Sequence, residues 1–291
     1  MKRLPTPAFN DTGALTAISG DTTLDSHPVL HNHLAAFQAA YTNYALHHGD
    51  PNQITAIPQT AGIKDALIGH YSSPPTGPLK IYIDSVRNDL SPDVCPMCGS
   101  FNTYNIDHFF PKDGYPEYSF FSLNLVPACR CNRKGRGLYN HGTRARALHP
   151  YFDNGLTVRL VRMSINGPNF RVPALGLEPC TADPAILPNL NFHLDKVIYK
   201  RAVQSFLIKN WRKMRTRPRK IIQTLPRAFA GDAVALTGYL NDALDLMDDK
   251  YETPNNWDSM FLAGILARQD VLAWLAHDFT ELTLGNRLLT D

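Results

Sequence analysis

Four cysteines of the 291-residue chain form two close pairs, Cys95 with Cys98 and Cys129 with Cys131, separated by 30 residues. Paired thiolates in a reducing compartment favour zinc over disulfides, and five cysteines are too few for a disulfide scaffold. The alternative is that these cysteines are ordinary buried apolar residues. The clustering favours a zinc site.

Oxygen and imidazole ligands accompany the cysteines in the same segment. An imidazole accepts a proton from water near neutral pH, so His108 is the candidate general base. Asp107 and Asn132 offer hard oxygen atoms, which suit Mg²⁺ or Mn²⁺. The alternative for His108 is a core histidine that hydrogen-bonds a neighbour. We favour catalysis because Asp107 precedes His108 and a Pro-Lys pair follows shortly after it.

The order of these pieces resembles the HNH, or ββα-metal, nuclease family. The segment reads Cys95-Pro-Met-Cys98, then Asn105-Ile-Asp107-His108-Phe-Phe-Pro111-Lys112, then Asn124-Leu-Val-Pro-Ala-Cys129-Arg-Cys131-Asn132-Arg133-Lys134. In that family a cysteine knuckle precedes an Asp-His strand, and a second knuckle opens the helix that carries the last metal ligand. The resemblance implies an endonuclease that hydrolyses phosphodiester bonds in DNA or RNA and leaves 5′-phosphate and 3′-hydroxyl ends.

The resemblance also assigns roles to individual residues. His108 would deprotonate water, and Asp107 and Asn132 would hold one catalytic Mg²⁺ or Mn²⁺. Asn124 would brace the loop between the two strands and so orient the base. The catalytic set is therefore His108, Asn124 and Asn132.

A structural zinc ion would tie the two knuckles together. The expected ligands are Cys95, Cys98, Cys129 and Cys131. The second knuckle of the family is usually Cys-x-x-Cys, and here it is one residue shorter. Three alternatives therefore stay open: both thiols bind one ion, His141 or His149 supplies a ligand, or zinc has been lost.

Other motif-like residues receive weaker interpretations. The tripeptide His31-Asn32-His33 spells the family name, but we reject it because the signature residues are scattered over a strand and a helix. Cys180 stands alone and is expected to pack. The stretch from His149 to Asp153 looks like a motif that follows the HNH core in some bacterial members, and we favour a buttressing role over metal binding for it.

A wider resemblance covers Ile63 to Tyr71, Tyr115 to Tyr118, His149 to Asp153 and Asn255 to Asp258. These segments resemble nuclease subunits of bacterial anti-phage systems of the Septu and retron type. That resemblance implies an effector nuclease that assembles with an ABC/SMC-like ATPase subunit. The alternative is a non-catalytic zinc-knuckle module that binds nucleic acid or protein within a larger assembly, or a scaffold subunit.

The net charge of +3 conceals an uneven distribution. Residues 118–152 contain six basic residues and residues 196–231 contain eleven, with no acidic residue in either range, whereas residues 232–291 contain eleven acidic and three basic residues. Such cations can contact phosphates, although a solvated face or a subunit contact explains them equally well. The acidic end suits protein docking or simple solvation. The candidates for nucleic-acid contact are Arg133, Lys134, Lys209, Arg212, Lys213 and Arg215.

Hydrophobic periodicity predicts the helices that must position these residues. The predicted helices are one from Ser26 that carries Leu30 to Tyr44, a shorter one that carries Ile63 and Leu67, one from Leu79 to Leu90, one whose apolar face runs from Leu194 to Phe206, and one from Leu236 to Met247. Arg217-Pro218 is expected to end the helical part of the basic stretch.

We expect an α+β protein in which a small zinc-knuckle ββα-metal module, residues 79–153, lies between a helical region, 1–78, and a C-terminal region of a hairpin and helices, 154–291. The hairpin is expected from Leu156 to Val172, around Asn166-Gly167. Without a membrane-spanning run or a signal peptide, we expect a cytoplasmic protein that does not bind membranes.

Overall fold

The computed structural model describes residues 1–130, 138, 140–198 and 200–286. The chain divides into two compact units. The N-terminal unit comprises Arg3–Met97 and Phe101–Asn154. The C-terminal unit comprises Met1–Lys2, Cys98–Ser100 and Gly155–Asp291. Both units combine helices with a two-stranded sheet, so the expected α+β class is confirmed at this level.

The N-terminal unit is mainly helical. Its helices are α1 (Asp11–Gly20), α2 (Val29–Asn32), α3 (Leu34–Leu46), α4 (Ala61–Ser72) and α5 (Pro78–Asn88). The predicted helix from Ser26 is divided at His33, and its apolar residues Phe37 and Tyr44 are buried as expected. Helix α1 was not predicted; Asn10 caps it by accepting a hydrogen bond from the Gly13 N–H.

An antiparallel hairpin follows these helices in the chain. Strand β1 (Asn105–His108) pairs with β2 (Leu125–Ala128), with Asp107 opposite Val126 and His108 opposite Leu125. The loop between the strands contains two short 3₁₀ turns, Pro116–Tyr118 and Ser122–Asn124. The family resemblance predicts a helix after Cys129, and residues 131–137 lie outside the described part of the chain.

The loop of this hairpin packs on α3 through aromatic rings. The buried ring of Tyr44 meets three rings of the loop edge-on, with centroid separations of 4.9 to 5.2 Å. These rings belong to Phe110, Tyr118 and Phe121. Edge-on aromatic contacts of this kind add to the free energy gained by burial alone. Helix α3 therefore fixes the position of the loop.

The C-terminal unit is built around a second hairpin. Strand β3 (Val161–Asn166) pairs antiparallel with β4 (Ala174–Pro179). The helices of this unit are α6 (Leu187–Lys196), α7 (Lys200–Thr216), α8 (Ala233–Tyr251), α9 (Trp257–Leu266) and α10 (Gln269–Leu284). Helix α9 lies so close to β3 that a Cβ atom on Gly264 would be 2.3 Å from the Met163 carbonyl oxygen. Gly264 thus permits the close packing of helix on sheet.

Two predictions for this unit need correction. The hairpin lies further along the chain than the apolar alternation indicated, because Val158 precedes β3 and Val172 lies in the connection, 82% exposed. The predicted continuous face from Leu194 to Phe206 is divided between α6 and α7. The expected helix stop at Pro218 is confirmed, since α7 ends at Thr216.

Among the described residues, no single helix is both long and apolar enough to cross a membrane. Helices α9 and α10 meet the length and composition criteria only as a pair, and they are bent by 96° with respect to each other.

The Asp11 carboxylate ties α1 to the loop in front of β2. The Ser122 backbone N–H and hydroxyl donate to Asp11 at 2.7 and 2.6 Å. Burial outweighs these bonds and raises the pKa of Asp11 to about 6. A carboxyl with a raised pKa destabilises the folded state when ionised, and this penalty decreases as the pH falls through the folded-state value.

We therefore predict that protonation of Asp11 stabilises the folded state as the pH falls below neutral. When the pH falls from 7 to 4, the free energy of unfolding of the wild type should increase, relative to that of Asp11→Asn, by at most about 3 kcal/mol. Urea denaturation of both proteins across this range measures the difference. A difference that stays constant with pH would contradict the assignment.

Candidate active site and zinc cluster

Three cysteines form a buried cluster. The sulfur atoms of Cys95, Cys98 and Cys129 all lie within 4.8 Å of one another. In a tetrahedral zinc site with Zn–S bonds of about 2.3 Å, thiolate sulfurs are roughly 3.8 Å apart, so small movements would complete the coordination. The donor set therefore fits a structural zinc ion. Cys131, the predicted fourth ligand, lies outside the described residues.

The first pair of cysteines sits on a tight turn. Val94 and Phe101 form an antiparallel bridge at its base. Gly99 has φ +80°, a left-handed conformation that favours glycine. The Trp257 indole N–H donates to the Cys98 carbonyl oxygen at 2.7 Å, and the Trp257 backbone N–H donates to the Gly99 carbonyl oxygen at 3.0 Å. Trp257 belongs to the Asn255–Asp258 motif, which therefore supports this turn.

His149 does not belong to the cysteine cluster. Its Nδ1 accepts a hydrogen bond from the Tyr151 N–H, so Nε2 carries the proton in the neutral ring. Nε2 lies 3.0 Å from the Tyr44 hydroxyl, which in turn lies 3.3 Å from Asn124 Oδ1. Asp153 pairs with Arg146 through both oxygens, at 2.8 and 2.9 Å. These contacts give the His149–Asp153 segment a buttressing geometry.

Asn124 holds the ends of the β1–β2 loop together. Its Oδ1 accepts from the Phe110 N–H at 2.7 Å, and its Nδ2 donates to the carbonyl oxygens of Phe110 and Tyr118 at 3.1 and 3.0 Å. The residue is fully buried. A buried amide that bonds to three backbone groups specifies one loop conformation, because buried backbone groups need hydrogen-bond partners.

His108 ends β1 with its ring held in one orientation. Its Nε2 lies 2.8 Å from the Ser119 carbonyl oxygen. A carbonyl can only accept, so Nε2 carries the proton and Nδ1 carries the basic lone pair. Burial, with a smaller contribution from nearby Lys112, lowers the pKa of His108 to about 4 against the opposing effects of the Ser119 bond and Asp113. The ring is therefore neutral at physiological pH, which is the form a general base requires.

Two cations lie against the tyrosine that packs on this histidine. The ring of Tyr71, from α4, packs edge-on against His108 with centroids 4.4 Å apart. Lys112 Nζ lies 5.2 Å and the Arg87 guanidinium 5.9 Å from the centre of the same Tyr71 ring. Tyr71 and Arg87 were not predicted as site residues. The Ile63–Tyr71 segment was noted only as a resemblance, and Arg87 carries no motif signal.

Of the two predicted magnesium ligands, Asp107 lies in the described part of the chain and Asn132 does not. Asp107 is half-buried in β1, and consecutive strand residues point to opposite faces, which separates its side chain from that of His108. Asn132, Arg133 and Lys134 lie outside the described residues. The carboxylate of Asp107 is a suitable donor for Mg²⁺ or Mn²⁺.

The remaining nucleic-acid candidates lie on α7. Lys209, Arg212 and Lys213 are exposed. Arg215 is buried, donates to the Arg171 carbonyl oxygen at 3.2 Å and lies over the Trp274 ring at 5.5 Å. Its guanidinium is thus used within the protein, and the exposed three are better placed to contact a phosphate.

Comparison with known proteins gives one partial match. Protein ea31 of Escherichia phage lambda is 40% identical over 85 residues. The match covers 28% of this chain and 28% of ea31. No protein-family model and no solved structure matches the chain.

We predict that the three clustered cysteines bind zinc. Cys95→Ser or Cys129→Ser should lose bound zinc and, because a structural zinc site contributes to folding, lower the free energy of unfolding by several kcal/mol. Elemental analysis and thermal denaturation of protein purified without chelators measure both effects.

The exposed Cys180 provides the matched control. Cys180→Ser should keep the zinc content and stability of the wild type. Zinc-free wild-type protein, or undiminished zinc in Cys95→Ser, would contradict the site.

We also predict that the Asn124 side-chain amide contributes more to the free energy of unfolding than the Tyr44 hydroxyl does. Asn124→Ala leaves three buried backbone groups without their partner and should cost about 2 to 4 kcal/mol, whereas Tyr44→Phe should cost about 1 kcal/mol. Urea denaturation of the two variants measures this order. Equal costs would show that the amide does not organise the loop.

Proposed function

We propose that the chain is a metal-dependent endonuclease of the HNH type that hydrolyses phosphodiester bonds in DNA or RNA. The observation that carries the proposal is the orientation of His108, whose Nε2 is bound to the Ser119 carbonyl oxygen at 2.8 Å. In the neutral ring that bond leaves the basic lone pair on Nδ1. The Asn124 brace and the cysteine cluster support the proposal, because the resemblance implies a loop-bracing asparagine and a metal-binding group of cysteines.

The proposed reaction is an attack of water on phosphorus. His108 Nδ1 takes a proton from water as the oxygen bonds to phosphorus, and the bond from phosphorus to the leaving oxygen breaks. Asp107, together with Asn132, would hold Mg²⁺ or Mn²⁺, which when bound neutralises charge on the scissile phosphate and on the leaving oxygen. Lys112 and Arg87 lie over the ring of Tyr71, which packs on His108, and in this proposal they supplement the phosphate-binding candidates predicted from the sequence.

The wider proposals rest on resemblance. An ABC/SMC-like ATPase partner, a role as the effector nuclease of an anti-phage defence complex and a cytoplasmic location belong to this proposal.

We predict that His108→Ala lowers Mg²⁺-dependent cleavage by at least about a hundredfold, since general base catalysis contributes that much or more. The variant should keep the fold and the zinc content of the wild type. Nicking of plasmid DNA and cleavage of RNA by the purified protein, alone and with any co-expressed ATPase, provide the assay.

His31→Ala is the matched control, because His31 is an exposed histidine of the rejected His-Asn-His tripeptide. It should cleave like the wild type. Equal cleavage by His108→Ala would refute the assignment. Binding of nucleic acid without cleavage under all these conditions would favour the non-catalytic module.

A further inference from the structure

A cavity of about 460 Å³ opens in the C-terminal unit between α10 and the segment that follows α7. It has no place in the proposed nuclease chemistry. Its volume lies within the range of roughly 300 to 1,000 Å³ that is typical of small-molecule sites. The lining has two chemically distinct parts, one cationic and one apolar.

The cationic part comes from a short stretch of chain. Four exposed cations line the cavity: Arg217, Arg219, Lys220 and Arg227. Among the described residues, none of them lies within 4 Å of a carboxylate, and the described lining includes no acidic residue. Arg219 Nε donates to the Leu225 carbonyl oxygen at 3.0 Å, which folds the segment back on itself. Positive charge is thus concentrated at one opening.

The apolar part of the lining comes from the same segment and from α10. Leu225, Phe229 and Phe279 are buried there, and the two phenylalanine rings meet edge-on with centroids 6.2 Å apart. Leu282 from α10 is half-buried beside them. A hydrophilic anion such as free phosphate would gain nothing from this part of the lining, whereas a planar base would cover it.

We infer that this cavity binds a nucleotide, with its phosphates on the arginine and lysine side chains and its base against the phenylalanine rings. A guanidinium group binds phosphate through two N–H donors, and four cations together suit the several charges of a phosphate chain better than the single charge of a carboxylate. The same chemistry is offered by a free mononucleotide and by one nucleotide of a single strand. This inference does not depend on the proposed nuclease activity.

Calorimetry on the full-length protein in Mg²⁺-free buffer tests the site. The probes are ATP, adenosine, tripolyphosphate, a thymidine hexanucleotide and a glutamate-rich peptide, all at one ionic strength. ATP should bind more tightly than adenosine or tripolyphosphate, because only ATP satisfies both parts of the lining. Binding of ATP alone identifies a free nucleotide as the ligand, and binding of the hexanucleotide at the same site identifies a strand.

Variants separate the cavity from general surface charge. Arg217→Ala and Arg227→Ala should each weaken nucleotide binding roughly tenfold, the loss of one charge-assisted contact. Leu282→Trp should abolish binding by filling the cavity while leaving the charge unchanged. Lys209→Ala removes an exposed cation of α7 outside the cavity and should change affinity less than twofold.

Three outcomes would overturn the inference, provided that the variants keep the wild-type circular dichroism spectrum and unfolding midpoint. The first is no binding of either nucleotide probe at millimolar concentration. The second is tripolyphosphate binding that equals ATP binding and is insensitive to Leu282→Trp, which indicates a charged patch only. The third is tighter binding of the glutamate-rich peptide than of either nucleotide probe.

Discussion

The candidate active site depends on one buried amide. Asn124 bonds to both backbone groups of Phe110 and to the Tyr118 carbonyl oxygen, so it joins the two ends of a loop that has little regular structure of its own. Such a loop cannot satisfy its backbone through strand pairing, and it needs side chains to do so. Tyr44 and His149 continue the network into α3 and into the segment after the hairpin. The loop is thereby connected to the helical part of the N-terminal unit.

The orientation of His108 follows from this arrangement. Its Nε2 partner is the carbonyl of Ser119, the residue directly after Tyr118, whose own carbonyl is held by Asn124. A shift of the loop would move that carbonyl and release the ring. The same packing that fixes the ring also buries it, which keeps it neutral at physiological pH. Position and protonation state thus have a common origin in the packing of the loop.

The sequence predicted the secondary-structure elements more accurately than the side-chain contacts between them. Apolar periodicity located α3, α4, α5 and α8, because each buries one face. It misplaced the second hairpin because Val158 and Val172 fit the alternation yet are exposed. Residue types and order predicted the roles of His108 and Asn124, which belong to the proposed function. Tyr71 and Arg87 escaped notice because they reach the site through the packing of α4 and α5, and no local pattern encodes such long-range contacts.

The uneven charge along the chain also has a structural explanation. The acid-rich end does more than balance the net charge of the basic stretch. Several of its carboxylates pair with particular cations of the same unit. Asp248 lies 2.5 Å from Arg159, and Asp278 lies 3.9 Å from the buried Arg215. Removing a buried cation or its partner leaves an uncompensated charge, so such pairs constrain the sequence more than exposed pairs do. Arg215 is therefore held within the unit by α10, whereas the cations from Arg217 to Arg227 face a cavity. Arg215 and Arg217 are therefore close in the chain but have different roles. Helix α7 ends between them, and Arg215 is buried whereas Arg217 is exposed.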